Sequence, residues 1–164
     1  MSDQPTLPRA AKRVADALTA AGHGGQVRVL SDSARSAAEA AAALGVKQRQ
    51  IVKSLVFRGS SSGEPLLVLV GGDSRVDLGL LEAASGEPVE RAQADWVRER
   101  TGFAIGGVPP IAHAEPIRTI ADSALAADGE LWAAAGTPHA VFSLTGGELV
   151  ALTGATLAPV AERG

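Results

Sequence analysis

Gln50-Ile-Val-Lys-Ser-Leu-Val-Phe-Arg58, then Gly59-Ser-Ser-Ser-Gly63, then Pro65-Leu-Leu-Val-Leu-Val70, is the stretch on which the fold turns. Two apolar, β-rich runs flank a short Gly/Ser segment, which is the pattern of a hairpin. Side chains alternate between the faces of a strand, so Ile51, Lys53, Leu55 and Phe57 share one face and Val52, Ser54, Val56 and Arg58 the other. Both faces are mostly apolar, which predicts a central strand. Lys53 is the exception. An ammonium in the middle of an apolar face is costly unless it reaches a partner. What such a lysine does well is hold a phosphate, a carboxylate or a polarised carbonyl oxygen as a point charge. The structural alternative is a stem that snorkels to the sheet edge or pairs with a carboxylate.

Outward from this hairpin, the N-terminal side reads as a helix over Thr6–Ala21 closed by Gly22, then a short strand at Gln26–Leu30. A second helix starts near Ser33 or Ser36 and ends at Gly45; Ser36-Ala-Ala-Glu39 fits a capping box. On the C-terminal side, Asp77–Ala84 reads as a short helix, Val89–Ala92 as an extended link and Ala94–Thr101 as a helix ended by Gly102. Ile117–Ile120, Leu131–Ala135 and His139–Leu144 read as strands, Glu148–Thr153 as a short helix and Thr156–Val160 as an edge segment. Helices and strands interleave irregularly with hairpins among them, so the expected class is α+β with a mixed sheet rather than regular βαβ winding.

The chain has 164 residues, 46% hydrophobic and 20% charged, with a formal net charge of −3. With a mean hydropathy of +0.14 it is expected to be ordered, and its length favours a single domain over 1–164, with 1–25 as an N-terminal helical extension. There is no cysteine, which excludes disulfide frameworks and thiolate nucleophiles. His23, His113 and His139 show no metal-site spacing. No apolar run approaches a membrane span, and Met1–Pro5 lacks the features of a signal peptide. The expectation is a cytoplasmic protein without metal or cofactor, bound to neither DNA nor membrane. No acidic residue falls between Glu39 and Glu64, while Lys47, Arg49, Lys53 and Arg58 do. Such a segment either attracts phosphate locally or is balanced in space by carboxylates from elsewhere.

Two further segments carry candidate chemistry. In Gly102-Phe-Ala-Ile-Gly-Gly-Val-Pro-Pro110 the glycines let a ligand approach the main chain, and the prolines stiffen the backbone on either side of them. The amides of Gly106, Gly107 and Val108 are then candidate donors to an oxyanion, against the alternative of a plain tight turn. Gly136-Thr-Pro-His139 is a turn between two strands that places Thr137 and His139 at the end of the sheet, where a lone histidine is either a satisfied surface residue or a site group. Gly59-Ser60-Ser61-Ser62-Gly63 matches the pattern of a nucleophile elbow, but strand comes after it where that elbow needs a helix, so a hairpin tip is predicted. Phosphate-loop, dinucleotide and zinc-protease motifs are absent from the sequence.

Taken together, Ala40-Ala-Ala-Ala-Leu-Gly-Val46, Gln50–Phe57, Thr101–Pro110, the Ala135–His139 turn and the trailing Leu149-Val-Ala-Leu-Thr-Gly154 stand in an order that resembles the YbaK/prolyl-tRNA editing-domain family of aminoacyl-tRNA deacylases. The resemblance spans roughly residues 30–160. It implies a mixed, largely antiparallel, barrel-like sheet flanked by helices, with a pocket for the aminoacyl-adenosine end of tRNA. It implies that Lys53 is the main functional side chain and that Ser54 stands where relatives have Thr or Asn. Gly106, Gly107, Val108 and Pro110 match the family's glycine–proline loop, and Gly136, Thr137 and His139 fall at its pocket turn. Some members carry an aromatic wall residue; this chain has no tyrosine.

The chemistry implied is substrate-assisted. A ribose hydroxyl or the substrate's own thiol helps open an already activated ester, and no strong protein nucleophile is needed. The expected partner is mischarged tRNA, foremost tRNA-Pro carrying a small residue such as Ala or Cys. The stretch 47–58, or Arg9, Lys12 and Arg13, would contact the tRNA, with prolyl-tRNA synthetase or an elongation factor as collaborator. A non-catalytic module binding a small molecule or an RNA 3′ end is the alternative. An editing domain cut from a synthetase is disfavoured, because both termini read as natural chain ends.

Overall fold

A computed structural model describes residues 7–24, 26–31 and 34–162. Thr6 and Ser33, named above as helix starts, lie outside the described residues. The central hairpin forms as the sequence predicts: β2 (Ile51–Gly59) pairs antiparallel with β3 (Pro65–Gly71), with Lys53 opposite Val70 and Ser54 opposite Leu69. The Gly59–Gly63 tip is a turn, and the Glu87 carboxylate accepts from the Ser61 and Ser62 amides at 3.0 and 2.9 Å. That closes the tip and leaves no nucleophile elbow. The carboxyl sits below its usual range because the Ser62 amide donates to its charged form.

Around this hairpin the described residues form a sheet of eight strands. On one side β6 (Leu131–Ala134) runs parallel to β2. It pairs antiparallel with β7 (Ala140–Leu144), which in turn pairs antiparallel with β1 (Arg28–Val29). On the other side β5 (Arg118–Asp122) runs parallel to β3 and β8 (Thr156–Ala158) parallel to β5. The segment Val89–Arg91, read above as a link, is a strand, β4, antiparallel to the end of β2. The sheet is mixed and flanked by helices. It stays open, with β1 and β8 at its two ends.

The helices follow local signals. α1 (Arg9–Ala20) turns Ala11, Val14 and Leu18 inward. α2 (Ala37–Leu44) starts at Ser36, whose hydroxyl accepts from the Glu39 amide at 3.1 Å. α3 (Leu78–Ser85) is capped by Asp77 and α4 (Ala94–Thr101) ends at Gly102 with φ +83°, a left-handed angle suited to glycine. α5 (Gly146–Thr153) begins earlier than its apolar pattern suggests, because Thr145 and Glu148 form a full capping box. One face of the β2–β3 hairpin (Val52, Leu67, Leu69) joins the main core with α1, Phe103, Val108, Ala133, Ala135 and Phe142. The other face divides between a cluster with α3 (Phe57, Val68, Val70, Leu81) and one with α2 (Ile51, Ala40, Ala41).

Candidate functional site

The register of β2 contains an interruption. On the edge away from β3, Ile51 and Val52 pair with Trp132 and Ala133 of β6, and Phe57, Arg58 and Gly59 pair with Arg91, Glu90 and Val89 of β4. Lys53, Ser54, Leu55 and Val56 lie between these ladders with no strand partner on that side among the described residues. All four are half-buried, whereas the residues that bound them, Val52 and Phe57, are buried. A central strand is thus opened over four positions, and these include the two residues the sequence singles out.

Lys53 emerges on the face that α2 and α3 cover. Its Nζ donates to the carbonyl of Ser74, in a turn closed by the Ser74 amide on the Gly71 carbonyl at 3.0 Å. Gly72 is required there: a Cβ on it would stand 2.5 Å from the Gln48 carbonyl oxygen. Burial is the main cause that holds the Lys53 amine below its ordinary pKa; Arg75 adds to the lowering and Asp73 opposes it. The ammonium is therefore neither in bulk water nor locked to a carboxylate. Its hydrogen bond goes to a main-chain oxygen rather than to the double-glycine bend.

Ser54 emerges on the opposite face, that of Val108 and Phe103. Its Oγ is buried and has no hydrogen-bond partner among the described residues, and the same holds for Nδ1 of His139. A buried hydroxyl or imidazole nitrogen left unpaired costs about 1–3 kcal/mol, so such atoms mark places where a ligand's polar groups belong.

Gly102–Pro110 and Gly136–His139 are brought together. A Cβ on Gly107 would meet the Gly136 carbonyl oxygen and the Thr137 Cα, both at 2.7 Å, and one on Gly106 would touch Pro138. The Gly136–His139 turn follows β6 beyond its last pairing with β2, so the parallel register carries the chain from Ala133 toward the side of the interruption at Lys53 and Ser54. Gly106 and Gly136 have φ +92° and +93°, which only glycine adopts without strain. The Gly107 amide is not a free donor, because it closes a turn on the Ala104 carbonyl at 3.0 Å. The Gly106 and Val108 amides have no acceptor among the described residues. Val108 and Pro110 are buried and shape the loop from inside. Thr137 is spent in its own turn, its Oγ1 accepting from the Ala140 amide at 3.2 Å.

Some contributors carry no residue-type signal. Ser74 acts through its backbone carbonyl, and only the preceding Gly-Gly-Asp hints at a turn there. Arg13 of α1 donates to the Gly102 carbonyl at 3.1 Å and lies over the Phe103 ring at 4.5 Å. Cavities of about 290 and 430 Å³ lie elsewhere, at the hairpin tip near Arg118 and between His23 and Trp132. No group of residues that would hold a metal ion occurs among the described residues, and no helix there is long and apolar enough to cross a membrane.

Residues 31–152 match the family model of the aminoacyl-tRNA editing domain. A crystal structure described as that of a candidate trans-editing enzyme for prolyl tRNA synthetase superimposes with a TM-score of 0.91 at 47% identity, covering 96% of this chain and 100% of that one. The proline–tRNA ligase of Pelotomaculum thermopropionicum is 38% identical over 94 residues, which are 57% of this chain and 16% of the ligase. The uncharacterized protein YwhH of Bacillus subtilis is 30% identical over 117 residues, covering 71% of this chain and 74% of that protein. The chain therefore spans a small part of the ligase it resembles and most of the smaller relative.

Proposed function

The chain belongs to the aminoacyl-tRNA editing domain family, and from that premise we propose that it is a deacylase acting in trans on mischarged tRNA, foremost tRNA-Pro carrying a small residue such as Ala or Cys. The observation that carries this reading is the interruption in β2. Four residues of a central strand lack a strand neighbour on one edge there among the described residues, and in this reading the gap is where a ligand's polar groups pair, with Lys53 on one face and Ser54 on the other. The similarity to a proline–tRNA ligase and to a candidate prolyl trans-editing enzyme supports the choice of tRNA.

In this reading Lys53 anchors the terminal phosphate or the ester region as a point charge. Water, helped by the neighbouring ribose hydroxyl, adds to the ester carbonyl. The amides of Gly106 and Val108 stabilise the oxyanion, and the ribose oxygen leaves with a proton to give free amino acid and uncharged tRNA. In a cysteinyl substrate its own thiol adds to the carbonyl first, departure of the ribose oxygen leaves a cyclic thioester, and water then opens that ring to free cysteine. Orientation supplies much of the acceleration, since the ester is already activated. Discrimination is steric: one methylene is worth roughly 1–3 kcal/mol in an apolar pocket.

The test is hydrolysis of Cys-, Ala-, Ser- and Thr-charged tRNA-Pro by the wild type and Lys53→Ala. The wild type should shorten the lifetime of at least one ester, and the variant should lose on the order of 10²–10³ in rate, the scale of one charge-stabilising donor. A loss below about tenfold with the fold intact overturns the role of Lys53. Esters protected or left unchanged by the wild type would instead indicate a binding module.

A further inference from the structure

We infer that Arg13 is a positioning residue that holds the Gly102–Pro110 loop in register with the Gly136–His139 turn; its bearing on catalysis rests on the deacylase reading above. α1 lies outside the stretch 31–152 that matches the family model, yet it touches both elements of the site. Arg13 Nη1 donates to the Gly102 carbonyl at 3.1 Å, and its guanidinium carbon sits 4.5 Å from the centre of the Phe103 ring. Ala10, one turn away on the helix, closes against Gly136, where an added Cβ would stand 2.6 Å from the Ala10 carbonyl oxygen. Gly102 and Phe103 are the residues from which the loop departs. Phe103 is buried, whereas Ala104, Ile105 and Gly106 are exposed.

The loop's outer half therefore has few contacts of its own, and its position is set where it leaves the core. A planar guanidinium suits this role, because one edge bonds a carbonyl while the face stacks on the ring. Arg13, named among the candidate tRNA contacts from sequence, is exposed, yet its guanidinium is held against the Gly102 carbonyl and the Phe103 ring. Its neighbour Lys12 pairs along the helix with Asp16 at 3.6 Å.

The experiment compares the wild type, Arg13→Met, Arg13→Lys and a control on the same helix, Thr19→Ala. Steady-state deacylation of the best tRNA-Pro ester and amide hydrogen exchange over residues 104–108 are both measured. Arg13→Met should lower kcat by on the order of tenfold with KM within about twofold, and should speed exchange in the loop. Arg13→Lys, which keeps the cation but not the fork, should recover part of both, and Thr19→Ala should behave as the wild type. Two results overturn the assignment: unchanged loop exchange in Arg13→Met, or unchanged kcat with a salt-dependent rise in KM, which marks a phosphate contact. If the wild type hydrolyses no ester, the deacylase reading fails, and the exchange comparison still decides whether Arg13 holds the loop.

Discussion

Ser54 has a buried hydroxyl oxygen that no described residue satisfies, on a strand whose neighbours are otherwise apolar. If the hydroxyl served the fold, its removal would cost stability; because it has no partner, Ser54→Ala should leave stability unchanged or raise it by about 1 kcal/mol. The same substitution should slow deacylation, since a ligand loses the group that would pair with this oxygen. Urea unfolding and single-turnover rates decide between these, and a less stable variant with an undiminished rate would remove Ser54 from the site. Lys53 and Ser54 were both legible as residues. A charge in an apolar strand is conspicuous, and alternation alone puts the two on opposite faces. What Lys53 binds was not legible, because the Ser74 carbonyl belongs to the backbone and every residue has one.

The loop beyond Val108 is held by a short device of its own. His113 Nε2 donates to the Pro109 carbonyl at 2.7 Å, and between them Ala112 sits at φ +69°, a strained angle for a residue with a Cβ. Burial lowers the His113 pKa from 6.5, and the bond to Pro109 offsets part of that. The unfolded chain therefore binds this proton at a higher pH than the folded one does. Stability held in full above about 6.5 is lost as pH falls from there toward the lowered folded value. Melting temperatures should decline between pH 7 and 5.5, and His113→Gln should flatten that decline. An equal slope in both proteins would show that the titrating group is another. At this scale the sequence was most readable where an element is decided locally. Glycines end α2, α3, α4 and α5 in left-handed angles, and the hairpin turns at its Gly/Ser segment. The interruption in β2 was not readable: it arises because β6 and β4, both distant in sequence, each pair with part of one edge.

Across the whole molecule, the site depends on a helix that the resemblance does not include. Ala11, Val14 and Leu18 of α1 are almost fully buried and belong to the same core as Phe103, Val108, Ala135 and Phe142. Removing α1 would expose that apolar surface and release Gly102 and Gly136 together. A fragment limited to residues 31–162 should therefore fail to unfold cooperatively and should bind a hydrophobic dye, although it contains the full matched stretch, Lys53, Ser54 and both the Gly102–Pro110 and Gly136–His139 segments. Leu18→Ala in the whole chain is the milder probe. Leu18 is 1% exposed, so the truncation should cost about 2–5 kcal/mol, read as a lower denaturation midpoint with an unchanged slope. A fragment that melts as sharply and as high as the parent would show α1 to be an appendage. The loop and the turn would then hold their positions without it, and the reason for placing Arg13 between them would be gone.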